Sequence, residues 1–502
     1  MNNRSPQELI SQCSKLQADR AAFERHWREI ASHMRPQCLA LLGGDSRQQP
    51  LDSTARLALE NFAGGIYGMM TNPANRWFAL RLHDEDLNSF EPVRDWLYEV
   101  EQRLFHSFGP QASRFYAVLP ALFADLACFG TGVFYSEEVM GSGSFNDTVR
   151  PLGECFIAEN AYGDIDTVFR RFTLNPRQAL QLFGDGLSPS TRRAAERNGQ
   201  ERIAFLHCVT ANDQAAGIGL DPCARPFLSA YVEEEAARIV AEGGYFELPY
   251  QVPRWSQTPG EIYGRGIGDQ ILADARMLSR MEETALKSAQ LMADPPMAVA
   301  DKGLAKAART APGGISYGAL DAAGQLRIKP IYTGASPSIA LDMIESRRQA
   351  IREAFHFQLM QVAGSPNMTA TEWMGRQEEK LRLLGPNLGR IQSEFLSPLI
   401  RRRFSLLSRA GMLPDPPPEI RGQCMSVDYV SPLARAQMAG EAQAVARLYE
   451  NMDAIARFDP AVADNIDHDA ALQVMGKGWA VPARILRSAD QVATLRALRQ
   501  QP

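Results

Sequence analysis

The sequence has no run of eighteen apolar residues, so no membrane-spanning helix is expected. Its N-terminal stretch, MNNRSPQELISQCSKLQADR, also lacks the apolar core of a signal peptide. The composition is otherwise ordinary, because 45% of the residues are hydrophobic and 22% are charged. We therefore expect a globular protein that is made and kept in the cytoplasm.

The seven cysteines and seven histidines give no metal or disulfide framework. No cysteine belongs to a CxxC pair, and free, mostly buried thiols are the expected state. There is no HExxH, and His26 and His33 lie too far apart on one helix to share a metal without a third ligand. Asp164 with Asp166, or the run from Glu233 to Glu235, could bind a cation, although solvated turns are the simpler interpretation. We expect no metal site.

Motifs of catalysis are also missing. The sequence has no GxxxxGK[ST] phosphate-binding loop and no GxSxG nucleophile elbow. Gly264, Gly266 and Gly268 suggest a dinucleotide loop, but Asp269 replaces the last glycine of GxGxxG, the preceding SQTPGEIY is a turn, and no βαβ unit follows. The simpler interpretation is a sharp turn into a helix that packs closely against a neighbour. We expect no catalytic residue and no cofactor.

The chain lacks an excess of positive charge. Fifty-three Lys and Arg residues face fifty-eight Asp and Glu residues, which gives a formal net charge of −5. A protein that grips nucleic acid over its whole surface is therefore excluded, and any DNA contact must be local or weak. The length of 502 residues favours about three domains.

The first third of the chain is mostly helical in pattern. Its first segment carries a one-faced stripe in which seven of eight positions are apolar, and Pro36 should end that helix. The stripe is Leu9, Cys13, Leu16, Arg20, Phe23, Trp27, Ile30 and Met34. Further helices are predicted over 53–70, 92–108 and 114–128, with a strand over 76–82. Ala63, Gly64 and Gly65 are expected to give the second helix a thin, closely packed face.

From about Val133 to Trp255 short β-type runs replace the helical pattern. They predict an α+β domain with antiparallel strands, and GSGSF from Gly141 is a hairpin or loop between two of them. Two short helices interrupt the runs, each preceded by a capping residue, Asn175 or Ser188.

Two long helices then flank a small insert. The first is predicted over Ile267–Ala293 and ends at Pro295 and Pro296, and the second over Ser336–His356. Between them lies an α/β insert, Met297–Gly334. Together they predict a helical stalk with a tip.

The last part of the chain begins with a loop, HFQLMQVAGSPNM. Thr369 and Glu372 form a capping box for a long helix that continues, kinked, past Pro386 and Pro398. VDYV is a predicted strand, and the chain after Pro432 is helical with a break at 476–482.

Basic residues gather on the second stalk helix and on the capping-box helix. Salt bridges between helices on solvated faces are the simpler interpretation, because acidic residues are interleaved with them; the alternative places some of them around a channel for a polyanion. They are Arg347, Arg348, Arg352, Arg376, Lys380, Arg382, Arg390 and Arg401 to Arg403.

The order of these segments resembles a known family. YGRGIGDQILADARMLSRMEE, the stalk helix, PP, a small insert, a returning helix, TATEWMGRQEE, a kinked helix and YVSPLARAQ follow one another as in the portal protein, or head-to-tail connector, of short-tailed bacteriophages. RAAFERHWREIASHMRP and TNPANRWFALRL also resemble that family. The resemblance covers nearly the whole chain, although only about seventy residues follow Pro432, fewer than an extended crown requires.

The resemblance implies a mainly α, α+β portal-type fold that assembles as a ring, typically of twelve subunits. Its implied parts are a wing with an α/β region (1–262), stem helices (263–295 and 335–356), a small α/β clip (296–334), a tunnel loop (357–368), a long kinked wing helix with a return strand (369–431) and a helical crown (432–502).

The resemblance also implies a function. The ring would sit at one capsid vertex of the virion, after assembly in the host cytoplasm, and would pass double-stranded DNA with weak, non-specific contacts. Its other expected partners are the terminase large subunit, the tail adaptor protein, and the major capsid and scaffolding proteins. The alternatives are a non-ring scaffolding or adaptor protein and a nucleotide-dependent enzyme that uses the Gly264–Gly268 turn.

The resemblance places candidate site residues in three segments. The DNA-facing candidates in the loop are Gln358, Gln361, Asn367 and Met368. The secondary candidates are Arg347, Arg348, Arg376 and Lys380. The candidates for docking partners at the clip are Lys302, Lys306 and Arg309.

Overall fold

The computed structural model describes residues 5–44, 50–84, 87–88, 90–139, 141–197, 199–213, 215, 224–293, 297–299, 325, 328–330, 337–357, 384–420, 425–429, 432–456, 465–479, 481, 487, 492, 495–496 and 498–499. Over these residues the fold is mixed α and β and mostly helical, in agreement with the predicted class.

The helices of the described residues lie close to the predicted positions. They are α1 (Pro6–Met34), α2 (Thr54–Met70), α3 (Glu91–Phe108), α4 (Phe115–Phe129), α5 (Pro176–Phe183), α6 (Pro189–Glu196), α7 (Ile267–Ala293), α8 (Pro337–Ala354), α9 (Ser397–Arg409), α10 (Pro432–Ala456) and α11 (His468–Gly478). The caps predicted at Asn175 and Ser188 are confirmed, because each side chain accepts a backbone N–H of the helix that follows.

The strands are β1 (Phe78–Leu82), β2 (Val133–Val139), β3 (Ser144–Arg150), β4 (Cys155–Glu159), β5 (Ile165–Leu174), β6 (Ile203–Ala211), β7 (Phe227–Glu233), β8 (Arg238–Tyr245), β9 (Tyr250–Gln251), β10 (Met297–Val299), β11 (Ile328–Pro330) and β12 (Met425–Tyr429). They form a five-stranded sheet in the order β4-β5-β6-β7-β8, a three-stranded sheet β3-β2-β9, and the pairs β1-β12 and β10-β11. Every pairing among these named strands is antiparallel, as predicted for 133–255.

The long helix α1 joins two hydrophobic cores. Near its start, Leu9 and Cys13 pack with Phe156 and Leu206 on the five-stranded sheet. Near its end, Trp27 and its neighbours belong to the main core, which also contains α2, α4 and the bases of α7 and α8. The predicted stripe is therefore the buried face of the helix, and even its one charged member, Arg20, is only 2% exposed.

Arg20 can be buried because backbone carbonyl oxygens replace the water molecules that would otherwise accept its hydrogen bonds. Its guanidinium donates hydrogen bonds to the carbonyl oxygens of Leu152, Gly153 and Cys155, and it forms an ion pair with Glu24. A buried charge is tolerated only where such donors and acceptors are matched. The arginine thus fixes α1 against the start of β4.

The predicted thin face of α2 is only partly correct. Ala63 is buried, but Gly64 is exposed, and a Cβ built on it would meet no atom within 4 Å. Helix packing at this position therefore uses Ala63, Leu59 and Phe62 instead of a bare glycine surface.

The chain remains helical past Pro398, as predicted. Residues 384–391 are α-helical, Gln392–Leu396 form one π turn, and α9 continues to Arg409. Since Pro398 has no N–H, the carbonyl four residues earlier cannot form a normal helical bond, and a wider turn at this point accommodates the loss.

Two helix ends differ from their predicted positions. Helix α8 ends at Ala354 instead of His356, because His356 has a left-handed φ of 49° that no α-helix accommodates. Helix α11 extends to Gly478, into the predicted break, and a Cβ there would come closer than 3.0 Å to the carbonyl oxygen of Met438 on α10.

Glu233 is neither a solvated turn residue nor a cation ligand in this fold. It is 2% exposed and accepts hydrogen bonds from the backbone N–H and hydroxyl of Ser188 and from the hydroxyl of Thr191, all at the start of α6. Glu234 forms an ion pair with Arg171 instead. The predicted solvated run is thus wrong at its first residue.

The cysteines and the membrane expectation can be compared with the described residues alone. Cys13, Cys128 and Cys155 are buried and free, Cys208 is buried, and Cys38 is free and half-buried. Within the described ranges, no helix is both long and apolar enough to span a bilayer.

Candidate functional site

The two predicted stalk helices are α7 and α8, and they pack against each other. One end of each is embedded in the main core. Ile267, Ile271 and Leu278 of α7 are buried there, as are Ile351 and Phe355 in and after α8. The base of this helix pair is therefore packed into the main hydrophobic core of the subunit.

The glycine turn before α7 is a packing device, as the simpler interpretation predicted. A Cβ on Gly264, Gly266 or Gly268 would come closer than 3.0 Å to the backbone of the 127–130 stretch, where α4 ends. The backbone of the turn is also bonded to this region, because the N–H of Gly264 donates to the Thr131 hydroxyl at 2.8 Å. The glycines bring two backbones into contact, and the geometry includes no cradle for a phosphate.

Asp269 occupies the position where a nucleotide motif would have its last glycine. Its carboxylate accepts the N–H of Gly266 at 2.7 Å and the guanidinium of Arg265 at 3.1 Å. It also contacts the Nε2 atom of His26 on α1 at 2.8 Å. An acidic side chain here satisfies a free N–H at the helix start and suits the positive end of the helix dipole. It would repel a phosphate group.

Further polar contacts beyond Asp269 join α1 to α7. Glu29 forms an ion pair with Arg276, and His33 lies 3.3 Å from the hydroxyl of Ser279. Burial lowers the pKa of His33 below its ordinary value of 6.5. Both histidines that were considered as metal ligands thus have partners in a helix–helix contact, which agrees with their structural interpretation.

Arg347 and Arg348 connect α8 to its neighbours through carboxylates. Arg347 binds Asp274 at 3.0 Å. Arg348 binds Asp52 at 2.9 Å, Glu282 at 2.6 Å and Glu345 at 3.5 Å, so it joins α8, α7 and the segment before α2. This is the inter-helix pairing that the simpler interpretation of the basic residues predicted. The DNA contact proposed for these two residues stays a prediction.

We expect Arg348→Gln to lower the free energy of unfolding by about 1 kcal/mol, because a three-carboxylate network is stronger than one exposed pair. Burial favours the neutral form of Asp52, but hydrogen bonds from Thr54 and Arg348 outweigh it and lower the pKa below 3.8. The stabilisation from Asp52 is thus present above about pH 3.8 and is lost as the pH falls through the lowered folded-state pKa.

Urea unfolding of both proteins over a pH series measures this effect. The wild-type advantage over Arg348→Gln should shrink at the acidic end of the series. Arg352→Gln is the matched control, because among the described residues Arg352 forms an ion pair with Glu345 alone, and it should change stability very little. Equal effects of the two substitutions at every pH would contradict the network.

The exposed faces of the stalk helices carry large apolar side chains. On α7, Met277, Leu286, Leu291 and Met292 are exposed, and on α8 so are Leu341 and Met343. Single exposed apolar residues are ordinary, and these six lie on more than one side of the helix pair, so contacts with more than one neighbouring segment or molecule would be needed to cover them all.

Most of the other predicted site residues lie outside the described residues. The loop candidates Gln358, Gln361, Asn367 and Met368 belong to this group, as do Arg376 and Lys380. So do the clip candidates Lys302, Lys306 and Arg309, and the capping box at Thr369 and Glu372. The short antiparallel pair β10-β11 lies within the segment expected to be the clip, near its two ends.

Comparison with known proteins identifies the family. The family model for the bacteriophage head to tail connecting protein matches residues 6–486. The chain belongs to this family. The connector is 28% identical to the portal protein of Salmonella phage epsilon15 over 99% of this chain and 91% of that protein. It is also 28% identical to the probable portal protein of Bordetella phage BPP-1, over 98% of this chain and 90% of the relative.

The family and its relatives confirm the resemblance that the sequence motifs gave, and the protein has a portal or head-to-tail connector role in a phage. Pairing between the helices was expected, but the particular long-range partners at the base of the stalk helices were not predicted. The partners of Asp269 on α1 lie 243 positions away, and those of Arg348 lie 66 and 296 positions away. Local sequence patterns do not predict such pairs.

Proposed function

We propose that this connector is a ring of identical subunits, twelve in the expected form, at one vertex of the capsid. Double-stranded DNA enters and leaves the capsid through the ring, and the subunit carries out no catalysis. The observation that carries the proposal is the match to portal proteins over nearly the whole chain. The exposed apolar side chains of the stem support it, because neighbouring copies in a closed ring would cover them.

The charge of the subunit suits a conduit. A ring of twelve would carry a formal charge of about −60, so the assembly would not grip DNA along its length. We propose that the tunnel loop, through Gln358, Gln361, Asn367 and Met368, steadies the duplex, with help from Arg376 and Lys380. Arg347 and Arg348 already neutralise carboxylates in the subunit, and a DNA contact would share their charge with these partners.

We propose that the clip, with Lys302, Lys306 and Arg309, docks the terminase motor during packaging and the tail adaptor afterwards. Capsid and scaffolding proteins would surround the wing. The wing, stem, clip and crown boundaries expected above define the parts of the subunit that serve these contacts.

Native mass spectrometry of the purified chain, with negative-stain images of the same sample, tests the ring. The expected result is a mass near twelve times 55.5 kDa and ring-shaped views with a central hole. A species that stays monomeric or dimeric at high concentration, and beside its capsid partners, would overturn the ring and favour a non-ring adaptor of virion assembly.

A further inference from the structure

The two ends of strand β5 carry surfaces of opposite charge. The turn before the strand contains Tyr162 and Asp164, and Asp166 is the second residue of the strand itself. The segment after the strand forms α5 and α6 and carries several arginines. The ten residues of β5 separate these two ends by roughly 30 Å. The surfaces therefore cannot meet within one subunit.

The arginine surface consists of Arg177 on α5, Arg192 and Arg193 on α6, and Arg197 and Arg202 after it. Four of these side chains are exposed and Arg192 is half-buried. Helices α5 and α6 lie on the five-stranded sheet over a small core of Phe172, Ala179, Leu187, Ile203, Phe205 and Val240. Segment 176–202 has five arginines against three acidic residues, a net charge of +2 in a chain of −5.

No carboxylate of the described residues forms an ion pair with any of these five guanidinium groups, although many other arginines of the subunit have such partners. Arg192 and Glu196 have the helical spacing for a pair but do not form one. Arg193 and Arg197, four residues apart, repel each other by a few tenths of a kcal/mol. A surface that keeps like charges together suits a negatively charged partner.

The same surface also has an apolar component. Leu180 of α5 is 42% exposed and lies three residues after Arg177, on the same side of the helix. Arginine beside exposed apolar side chains is typical of a protein–protein interface, whereas contacts to nucleic-acid phosphates require no leucine. The composition therefore favours a protein partner with acidic and aromatic or apolar groups.

The turn at the other end of β5 has this complementary composition. Tyr162 is 91% exposed, and Asp164 and Asp166 form no ion pair among the described residues. The turn is held rigidly, because Asn160 Oδ1 accepts the N–H groups of Tyr162 at 2.8 Å and Asp164 at 3.0 Å. Arg254 also donates to the Gly163 carbonyl at 3.0 Å. A turn whose backbone is already fixed loses little backbone entropy on binding, and tyrosine is a frequent anchor of protein interfaces.

We propose that the acidic turn of one subunit docks on the arginine surface of the next. Two different patches at opposite ends of one strand form a head-to-tail contact, which closes into a ring when the rotation between copies permits. Tyr162 would lie against Leu180, and Asp164 and Asp166 would face the arginines. The inference rests on the ring proposed above and assigns one of its subunit contacts to these residues.

Charge reversal tests the contact. Arg193→Glu with Arg197→Glu makes one variant, Asp164→Arg with Asp166→Arg a second, and all four changes together a third. Each double variant places like charges on both faces, and the quadruple variant restores attraction with reversed signs. Matched controls with the same net charge changes are Arg56→Glu with Arg447→Glu, and Glu419→Arg with Glu441→Arg, all at exposed positions.

Native mass spectrometry over a protein concentration series measures ring formation, and thermal melting verifies that each subunit is folded. We expect each double variant to need on the order of tenfold more protein for half-assembly at low salt, and the quadruple variant to recover most of this loss. The controls should assemble like the wild type.

Three results would overturn the contact. They are double variants that assemble like the wild type, a quadruple variant that shows the sum of both losses, and controls that lose assembly equally. In each case a wild type that still forms rings leaves the proposed function intact. A wild type that forms no rings removes both.

Discussion

Gly268→Ala is expected to destabilise the subunit by about 3 kcal/mol, at the upper end of the ordinary cost of overpacking. The added methyl would lie closer than 3.0 Å to the carbonyl oxygen of Cys128 and to the Cγ2 atom of Ile30. The carbonyl oxygen of Cys128 belongs to the main chain, so no side-chain rotation can move it aside. The loss would exceed the gain of about 1 kcal/mol that alanine brings over glycine inside a helix.

Gly64→Ala is the matched control for this prediction. Gly64 also lies inside a helix, but no atom stands within 4 Å of the added methyl. This substitution should therefore stabilise the subunit by about 0.5–1 kcal/mol. Thermal melting and urea unfolding of both variants give the comparison. If both alanines shifted stability in the same direction, close contact at the base of the stem would not be the reason for Gly268.

The second large effect is expected from Arg403→Met, which should cost about 3–5 kcal/mol. Arg403 and Asp147 form an ion pair whose side chains are both 0% exposed. Arg403 also donates to the Ser107 carbonyl at 2.6 Å and lies over the rings of Phe108 and Phe145. Burial lowers the pKa of Arg403, and Asp147 opposes this shift. Methionine fills much of the volume but leaves a buried carboxylate with no counter-charge.

The pair Arg403→Met with Asp147→Leu separates charge from packing. Removing both charges should recover most of the lost stability, because neither group then remains buried and unpaired. Arg409→Met, which breaks an exposed pair with Glu247, should cost less than about 1 kcal/mol. These variants are compared by urea unfolding at neutral pH. A double variant no more stable than Arg403→Met alone would show that the packing of the arginine, and not the ion pair, holds this position.

Local periodicity was sufficient to predict most of the described helices and strands. The stripe from Leu9 to Met34 gives α1, and the spacing after Ile267 gives α7, because each helix buries one face along its base. The glycine triplet was correctly interpreted as a close-packing turn, since its surroundings lack the strand that a nucleotide site needs. Capping residues marked the starts of α5 and α6.

Local sequence patterns could not predict which charged residues are buried. The sequence suggests that Glu233 and Arg403 are solvated, because acidic and basic residues usually are. Both are buried against hydrogen-bond partners that lie 45 and 256 positions away in the sequence and that the fold brings into contact with them. Arg20 is similar. In the sequence it is the one charged residue of an apolar stripe, and only the structure shows the three distant carbonyl oxygens that accept its hydrogen bonds. Such contacts depend on tertiary structure, and one sequence does not encode them locally.

The stem could be predicted as two helices and a turn, but its attachment could not. Arg347 and Arg348 were correctly expected on the second helix, and their carboxylates on α7 and before α2 appear only in three dimensions. The resemblance to the family added the expectation of a ring, a clip and a tunnel loop. Residues for DNA and motor contacts in those segments remain predictions that mutagenesis of the assembled ring can check.

Helix α1 has a mechanical consequence. It is a single rod of 29 residues, about 43 Å long, attached by Arg20 to the start of β4 and by His26 and Glu29 to α7. A displacement of the five-stranded sheet along this rod is therefore transmitted to the base of α7. In the proposed ring, a force on the sheet of one subunit would thus be coupled mechanically to its stalk helices.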